Sequence, residues 1–424
     1  MWQSMIRGTA WVSLLLTLLL GTSGCSTLFP EKRVREAIDA NYSVTDPEFA
    51  TSISHLLTAP LVASNHVVEL LNGDQIFPAM LEAIRKAQKT ITFEMYIWSS
   101  GEISKQFVEA LSERARAGVK VHIIVDTFGS GKLPRADREA LRAAGAELVN
   151  YNPPQPFKLF HFNHRTHRKN MVVDGRIGFT GGVCIHDAWS GNAEPDHWRD
   201  THFRVEGPVV GEMQAVFVDN WIQVRSEVLH GRDYFPELPP AGTMRAQFFK
   251  SGPTDAAENA RLAYQLSIAA AKKNIRLANA YFVPDALLFR TLLAARHRGV
   301  KVELIVPSKI DNFAVKKAGR ARWRGLLEAG VEFYEYQPTL YHPKIMIVDD
   351  IWVTAGSVNF DDRSFKINDE ANINVLDRAF AETITKSFEA DKRQSHRLTF
   401  EAFKRRNIVN RFFDHFFSLF RSQM

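Results

Sequence analysis

Two stretches of the chain carry side chains equipped for chemistry. They are His167-Arg168-Lys169-Asn170-Met171-Val172-Val173-Asp174 and His342-Pro343-Lys344-Ile345-Met346-Ile347-Val348-Asp349. Both read histidine, one residue, lysine, four residues, aspartate. An imidazole exchanges a proton near neutral pH, and an ammonium supplies fixed positive charge. A phosphodiester resists attack because its oxygens are anionic. Breaking one takes a nucleophile, an acid for the departing alkoxide and positive charge for the transition state. Two histidines beside two lysines supply all three. From the composition, a relaxed form of the pattern is expected about 0.2 times in a chain of this length. The strict form occurs twice.

Each motif ends in a β-branched run that closes on its aspartate, the pattern of a buried strand. Alternate residues of a strand share a face, so His167 and Lys169 project together, as do His342 and Lys344. Asp174 and Asp349 complete the two catalytic motifs; as strand ends they are expected to brace the motif and not to touch substrate. A reacting histidine also needs an acceptor at its other nitrogen to set tautomer and basicity. Asp200 and Glu370 are the candidates, each downstream of its own motif's aspartate by a similar gap.

Helical and strand periodicities alternate around these motifs, which argues for an α/β sheet. In the first half, helical spacing over 72–89 is followed by a strand at 91–98. A helix around 107–117, a strand at 119–125, a helix through 135–144 and a strand at 146–151 come next. The second half repeats the order with a helix over 257–273, a strand at 275–282 and a helix over 287–298. Gly299-Val300-Lys301-Val302 matches Gly118-Val119-Lys120-Val121, and Glu328-Ala329-Gly330-Val331-Glu332 echoes Ala143-Ala144-Gly145-Ala146-Glu147. A duplication at near-constant offset predicts two similar lobes. Neither holds a complete site, so both motifs are expected at one shared interface.

With 424 residues there is room for two or more domains, and 45% hydrophobic and 24% charged residues describe an ordinary globular protein. A net charge of +6 and a pI near 9.2 suit an anionic partner, nucleic acid or acidic lipid, without choosing between them. Cys25 and Cys184 are the two cysteines, which excludes a disulfide framework and zinc-type spacing. His161, His164 and His167 lie close in sequence, but His167 belongs to the motif and no metal is expected. Gly129-Ser130-Gly131-Lys132 imitates a nucleotide-binding loop. Asp126 and Leu133 stand where that loop needs glycine and Ser or Thr, so a turn lining the site is expected.

The ends of the chain bear on location. Arg7 precedes an apolar run at 10–20, too short to span a bilayer comfortably and suited to a signal-peptide core. Gly21, Thr22, Ser23 and Gly24 then lead to Cys25, which resembles a bacterial lipoprotein processing site, with Thr22 where leucine is usual. That resemblance makes Cys25 the lipidated first residue of the mature chain; the alternative is an uncleaved anchor. Either places the body at the outer surface of the inner membrane, in the cell envelope. Residues 26–65 read as a polar linker with a possible short helix, 66–240 as the first lobe and 241–405 as the second. At 406–424, Ile408, Val409, Phe412, Phe413, Phe416, Phe417 and Phe420 fall at helical spacing, with Lys404, Arg405, Arg406, Arg411 and Arg421 around them. Such a basic amphipathic helix lies in a lipid interface or packs on the body.

The flanking residues add a family likeness. After the second motif comes Gly356-Ser357-Val358-Asn359-Phe360-Asp361-Asp362-Arg363-Ser364-Phe365, then Asn368-Asp369-Glu370. After the first come Gly181-Gly182 and the run from Trp198-Arg199-Asp200 to Gly207-Pro208. Over about residues 66–405 the chain resembles the phospholipase D superfamily, and within it the bacterial cardiolipin synthases. One departure is Cys184, where the first lobe of many members has asparagine. The resemblance implies two pseudo-symmetric α/β lobes with one active site between them. It implies that His167 attacks phosphorus to give a phosphatidyl-histidine and that His342 protonates the leaving oxygen; the sequence leaves the reverse assignment open. Lys169 and Lys344 would hold the non-bridging oxygens, assisted by Ser357 and Asn359. No cofactor is implied, because two lysines and an imidazolium supply the charge. The implied reaction makes cardiolipin and glycerol from two phosphatidylglycerols at a membrane surface. A hydrolytic phospholipase D, a nuclease and a non-catalytic lipid-binding protein are the alternatives. The membrane-directed start, the aromatic tail and the synthase-like flanks argue against a nucleic-acid partner, and the two intact motifs argue against the non-catalytic reading.

Overall fold

The computed structural model describes residues 34–154, 163–254, 256–310 and 312–419. The apolar run at 10–20 and Cys25 lie outside them, as do His161 and Phe420. Residues Glu36 onward form one compact unit. Among the described residues, fifteen strands make one sheet in the order β15-β11-β10-β9-β12-β13-β14-β8-β1-β7-β6-β5-β2-β3-β4. The first lobe contributes β1 (Val62–Leu71), β2 (Thr90–Met95), β3 (Lys120–Asp126), β4 (Glu147–Tyr151), β5 (Asn170–Val173), β6 (Ile177–Gly181) and β7 (Thr201–Glu206). The second contributes β8 (Met244–Ser251), β9 (Asn274–Asn279), β10 (Lys301–Pro307), β11 (Glu332–Tyr336), β12 (Lys344–Val348), β13 (Trp352–Gly356) and β14 (Glu370–Leu376), with β15 (Ser395–Leu398) added at the outer edge. Read outward from the β1–β8 junction, the lobes match strand for strand. At that junction the pairing is antiparallel, with Val62 opposite Ala246 and Asn65 opposite Met244.

The sequence repeats mark equivalent corners. The helices Glu102–Arg116 and Ala286–His297 each stop before a glycine with positive φ, Gly118 at 90° and Gly299 at 88°. Glycine adopts this left-handed conformation without penalty. The valines that follow turn inward and start β3 and β10, each parallel to its neighbour β2 or β9. The motif strands sit inside the sheet, β5 between β2 and β6, β12 between β9 and β13. Their alternate residues serve two cores. Met171 and Val173 join an outer core with the helices Asn72–Lys86 and Glu102–Arg116. Val172 joins Ile345 and Ile347 in a core shared by both lobes and covered by the helices Val210–Arg225 and Arg378–Arg393.

Asp174 and Asp349 close these strands. Asp174 accepts the backbone N–H groups of Gln88 (2.9 Å), Lys89 (2.7 Å) and Thr90 (3.0 Å). Asp349 accepts those of Lys272 (2.8 Å), Lys273 (2.7 Å) and Asn274 (3.0 Å). Each lies five residues beyond its motif lysine, about 17 Å at ~3.3 Å per strand residue. They pin a helix–strand corner to the far end of the motif strand, the bracing place their position at the strand ends suggests.

The segment expected as a linker with a short helix belongs to the compact unit from Glu36 on. Pro47–Leu56 is a helix that buries Phe49, Ala50 and Ile53, with the Phe49 ring edge-on to Trp352 at 4.8 Å. Three apolar residues in a polar segment are enough to dock one helical turn. The C-terminal helix Ile408–Ser418 packs one side on the body and leaves the other exposed. Phe417 packs against Val283, Val315 and Ala318, and buried Asp414 pairs with Arg406 (2.8 Å) and Lys317 (3.7 Å). Phe412, Phe413 and Phe416 stay exposed. No helix among the described residues is long and apolar enough to cross a membrane.

The bracing role predicts that Asp174→Ala leaves three N–H groups to water and lowers stability by about 1–3 kcal/mol. The urea unfolding midpoint measures this; an unchanged midpoint would show that the corner holds without its carboxylate.

Candidate active site

His167 and His342 line one cavity of about 370 Å³ together with Lys169, Asn359 and Cys184. Backbone hydrogen bonds between the lobes bring them there. His167 donates its N–H to the Asp369 carbonyl (2.8 Å), and Asp369 donates to Arg165 (2.9 Å). The other half repeats this, with His342 donating to Arg199 (2.8 Å) and Arg199 to Leu340 (3.0 Å). Each motif histidine is thus stitched to the segment that carries the other lobe's carboxylate.

The side chains cross in the same way. His167 Nδ1 lies 3.0 Å from both oxygens of Glu370. His342 Nδ1 lies 2.7 Å from Asp200 Oδ2. A carboxylate at Nδ1 selects the tautomer protonated there and leaves the Nε2 lone pair for chemistry. Chain order does not reveal this crossing, since each carboxylate follows its own motif and serves the other. Lys169 donates to the His167 carbonyl (2.6 Å), and Lys344 to the His342 carbonyl (2.7 Å) with its Nζ 3.0 Å from Nε2 of the same ring.

The two half-sites hold their carboxylates differently. Glu370 accepts from Ser357 Oγ (2.5 Å) and Ser364 Oγ (2.6 Å). Ser357 also meets the Ala371 amide (3.0 Å). Its expected place on the phosphate is therefore corrected: the hydroxyl is spent on Glu370. In the first lobe Gly182 takes that position, and a Cβ there would collide with the Asp200 carboxylate. Asp200 is held instead by Trp189 Nε1 (2.8 Å) and the Thr201 amide (2.8 Å). Asn359 faces the cavity, its amide oxygen buried without a partner among the described residues. Cys184 occupies the matching place opposite, and burial raises its thiol pKa.

Charge follows from these contacts. Burial pushes the Glu370 carboxyl up to about 7, against the pull of Lys169 and its hydroxyl donors. Burial also opposes ionisation of Asp200, but His342 and Lys344 outweigh it and hold the group below the usual carboxylate range. Burial and the neighbouring lysines lower His167 well below the ordinary imidazole value. They lower His342 too, with Asp200 pulling the other way. Burial brings Lys344 down to about 8, opposed by Asp200.

Several residues here carried no signal in the sequence. Tyr96 packs edge-on to His167 at 4.8 Å, and Trp189 to His342 at 5.3 Å. Arg363 lines the cavity while donating to Asn163 across the lobes (3.0 and 2.8 Å). The turn at Gly129–Lys132 does not line the cavity; Ser130 Oγ donates to the Tyr96 carbonyl (2.9 Å) and buttresses that ring. No group of three His, Cys, Asp or Glu residues placed to hold a metal occurs among the described residues.

Comparison with known proteins agrees with this geometry. The family model described as cardiolipin synthase, PLD-like domain, matches residues 80–219 and 265–392, one segment in each lobe. This chain belongs to that family. It is 34% identical over 360 residues to the probable cardiolipin synthase YwiE of Bacillus subtilis, covering 84% of this chain and 72% of the relative. It is 35% identical over 351 residues to the cardiolipin synthase of Geobacillus kaustophilus, covering 82% and 70%. The crystal structure of phosphatidylserine synthase from Haemophilus influenzae superposes with a TM-score of 0.68 at 13% identity, over 89% of this chain and 100% of that one. At that identity the match establishes the shared two-lobe fold.

The crossed pairs predict that Glu370→Ala lowers kcat by about 10³, the scale set by losing the carboxylate behind a catalytic histidine, with KM little changed. Trp189→Phe keeps the ring and removes one donor to Asp200, and is expected to cost about tenfold in kcat. Steady-state kinetics on correctly folded variants checks both; equal losses in KM alone would assign these residues to binding.

Proposed function

We propose that this protein is a cardiolipin synthase that transfers a phosphatidyl group between two phosphatidylglycerols through a histidine-bound intermediate. The observation that carries the reading is the convergence of both motif histidines and Lys169 on one cavity, with Lys344 Nζ 3.0 Å from Nε2 of His342. His167 Nε2 attacks the phosphorus of the first lipid. The bond from phosphorus to the glycerol headgroup oxygen breaks, and His342 gives that oxygen its proton. Glycerol leaves. The headgroup hydroxyl of a second phosphatidylglycerol then gives its proton to His342 and attacks the same phosphorus. The N–P bond breaks, cardiolipin departs and His167 is regenerated. Lys169, Lys344 and the Asn359 amide face the non-bridging oxygens.

The unequal carboxylates support this division of roles. An acid must carry a proton, and ionised Asp200 stabilises the imidazolium form of His342. A nucleophile must start neutral, and His167 is held neutral by burial and two lysines. We further propose that the protein works at a membrane surface of the cell envelope, anchored by the apolar run at 10–20 or by lipid on Cys25.

Detergent-solubilised protein given phosphatidylglycerol should release cardiolipin and glycerol, identified by mass spectrometry. Phosphatidic acid as the product would make water the acceptor, and cleavage of single-stranded DNA with inert lipid would make the protein a nuclease. His167→Ala should abolish turnover; substantial residual activity would overturn the nucleophile assignment.

A pH limb follows from Lys344. Its ammonium is charged below about 8 and neutral above. As pH rises through that value the free site loses a cation, so kcat/KM falls. A bound phosphodiester favours the charged form, so kcat should hold to higher pH. A kcat/KM profile flat to pH 10 would remove Lys344 from phosphate binding.

A further inference from the structure

The phosphorus binds in a cavity of about 370 Å³, far too small for the acyl chains of a phospholipid. The tails of any lipid reacting there must lie outside it, so what surrounds the mouth decides how substrate arrives. One wall is the first turn of the helix Phe313–Glu328, where Asn312 and Val315 line the cavity. Asn312 Oδ1 caps that turn by accepting from the amides of Ala314 (3.1 Å) and Val315 (3.3 Å). Phe313, between them, points away and is 60% exposed.

The C-terminal helix extends this apolar point into a face. It runs antiparallel along the helix Phe313–Glu328. Phe417 meets Phe313 edge-on at 6.0 Å near the cavity, and Asp414 reaches Lys317 one turn further on. Its outer side presents Phe412 (65% exposed), Phe413, Phe416 and Leu419. Beyond the aromatic row lies a basic hollow lined by Arg320, Arg324, Lys404, Arg406 and His415. Arg320 and Arg406 are paired, to Glu335 (2.6 Å) and Asp414 (2.8 Å). Among the described residues Arg324 and Lys404 have no carboxylate partner. Exposed aromatics flanked by unpaired cations fit an apolar layer under anionic headgroups, and an exposed apolar row of this extent marks an interaction site.

We propose that this composite face, Phe313 with the outer side of the C-terminal helix, docks on an anionic phospholipid bilayer and sets the cavity mouth against it. The inference rests on the phospholipid reading of the site and specifies how that site meets its substrate. A docked helix sinks its apolar side about 5–10 Å into the headgroup boundary. A lipid headgroup then passes from the layer into the cavity while its acyl chains stay in the membrane.

The test uses the full chain and two forms of one substrate: long-chain phosphatidylglycerol in vesicles, and dihexanoyl-phosphatidylglycerol kept below its micelle concentration. A variant carrying Phe313→Ser, Phe412→Ser and Phe416→Ser should lose at least about tenfold in turnover on vesicles and stay within about twofold on the monomeric lipid. Vesicle turnover within twofold of the parent overturns the proposal. So does an equal loss on both substrates, which makes the face a structural support. A changed oligomeric state with vesicle turnover intact assigns the face to a second copy and overturns it as well. A second measurement needs no activity. Phe412→Trp should gain emission quenched by brominated chains in phosphatidylglycerol vesicles and not in phosphatidylcholine vesicles; no quenching in either overturns the proposal. A parent protein that turns over neither substrate refutes the enzymatic reading, and the quenching experiment still decides the docking face.

Discussion

The structure depends on one arrangement: each motif imidazole is oriented by a carboxylate from the opposite lobe. His167 leans on Glu370 and His342 on Asp200. All four groups are nearly buried, so a small displacement of one lobe would leave two carboxylates and two rings without partners. Loss of a partner from a buried charged hydrogen bond costs several kcal/mol, which couples lobe position to site integrity. The backbone bridges at Thr166–Asp369 and Arg199–Tyr341 tie the lobes at the same two points. Behind the second, buried Arg199 pairs with Asp391 at 3.0 Å, and Tyr341 donates to the same carboxylate at 3.1 Å. The unbroken sheet across β1 and β8 is the larger expression of this constraint.

Within this symmetric frame the chemistry is asymmetric, and the difference begins at single positions. Ser357 and Gly182 are equivalent in the duplication. The serine gives Glu370 a hydroxyl donor, while the glycine only makes room for Asp200, which Trp189 then holds. Asn359 and Cys184 are the second such pair, an amide facing a thiol. Duplication supplied two similar half-sites, and a few substitutions gave their carboxylates different partners.

Much of this was legible in the sequence because it is local. Each motif reads as a strand with His and Lys on one face, since the two-residue period is a property of the backbone. The glycine–valine–lysine–valine repeats read as helix ends followed by strands for the same reason. The candidates Asp200 and Glu370 were legible as acceptors, but their crossing was not, because spacing along a chain carries no record of which lobe a loop reaches. Trp189 gives no sign at all; its donor role exists only once β6 and β7 bring Asp200 beside it. Ser357 misleads, since a serine in a phosphate-site stretch faces either the ligand or the carboxylate behind it. The docking of the helix at Pro47–Leu56 stayed hidden because its burial rests on Phe49 meeting Trp352, about three hundred residues away.

The charge balance explains why the site suits a phosphodiester. Lys169 and Lys344 are 1% and 2% exposed, and burying an ammonium costs several kcal/mol unless opposite charge offsets it. Asp200 offsets one. Glu370, pushed up to about 7, offsets the other only in part. The cavity therefore keeps a surplus of positive charge, which a phosphodiester monoanion relieves. Arg363 on the cavity wall adds a third cation, so the surplus does not rest on Glu370 alone. The incomplete ionisation of Glu370 adds to that surplus, and it leaves beside His167 Nδ1 a carboxyl able to take on charge when that ring does.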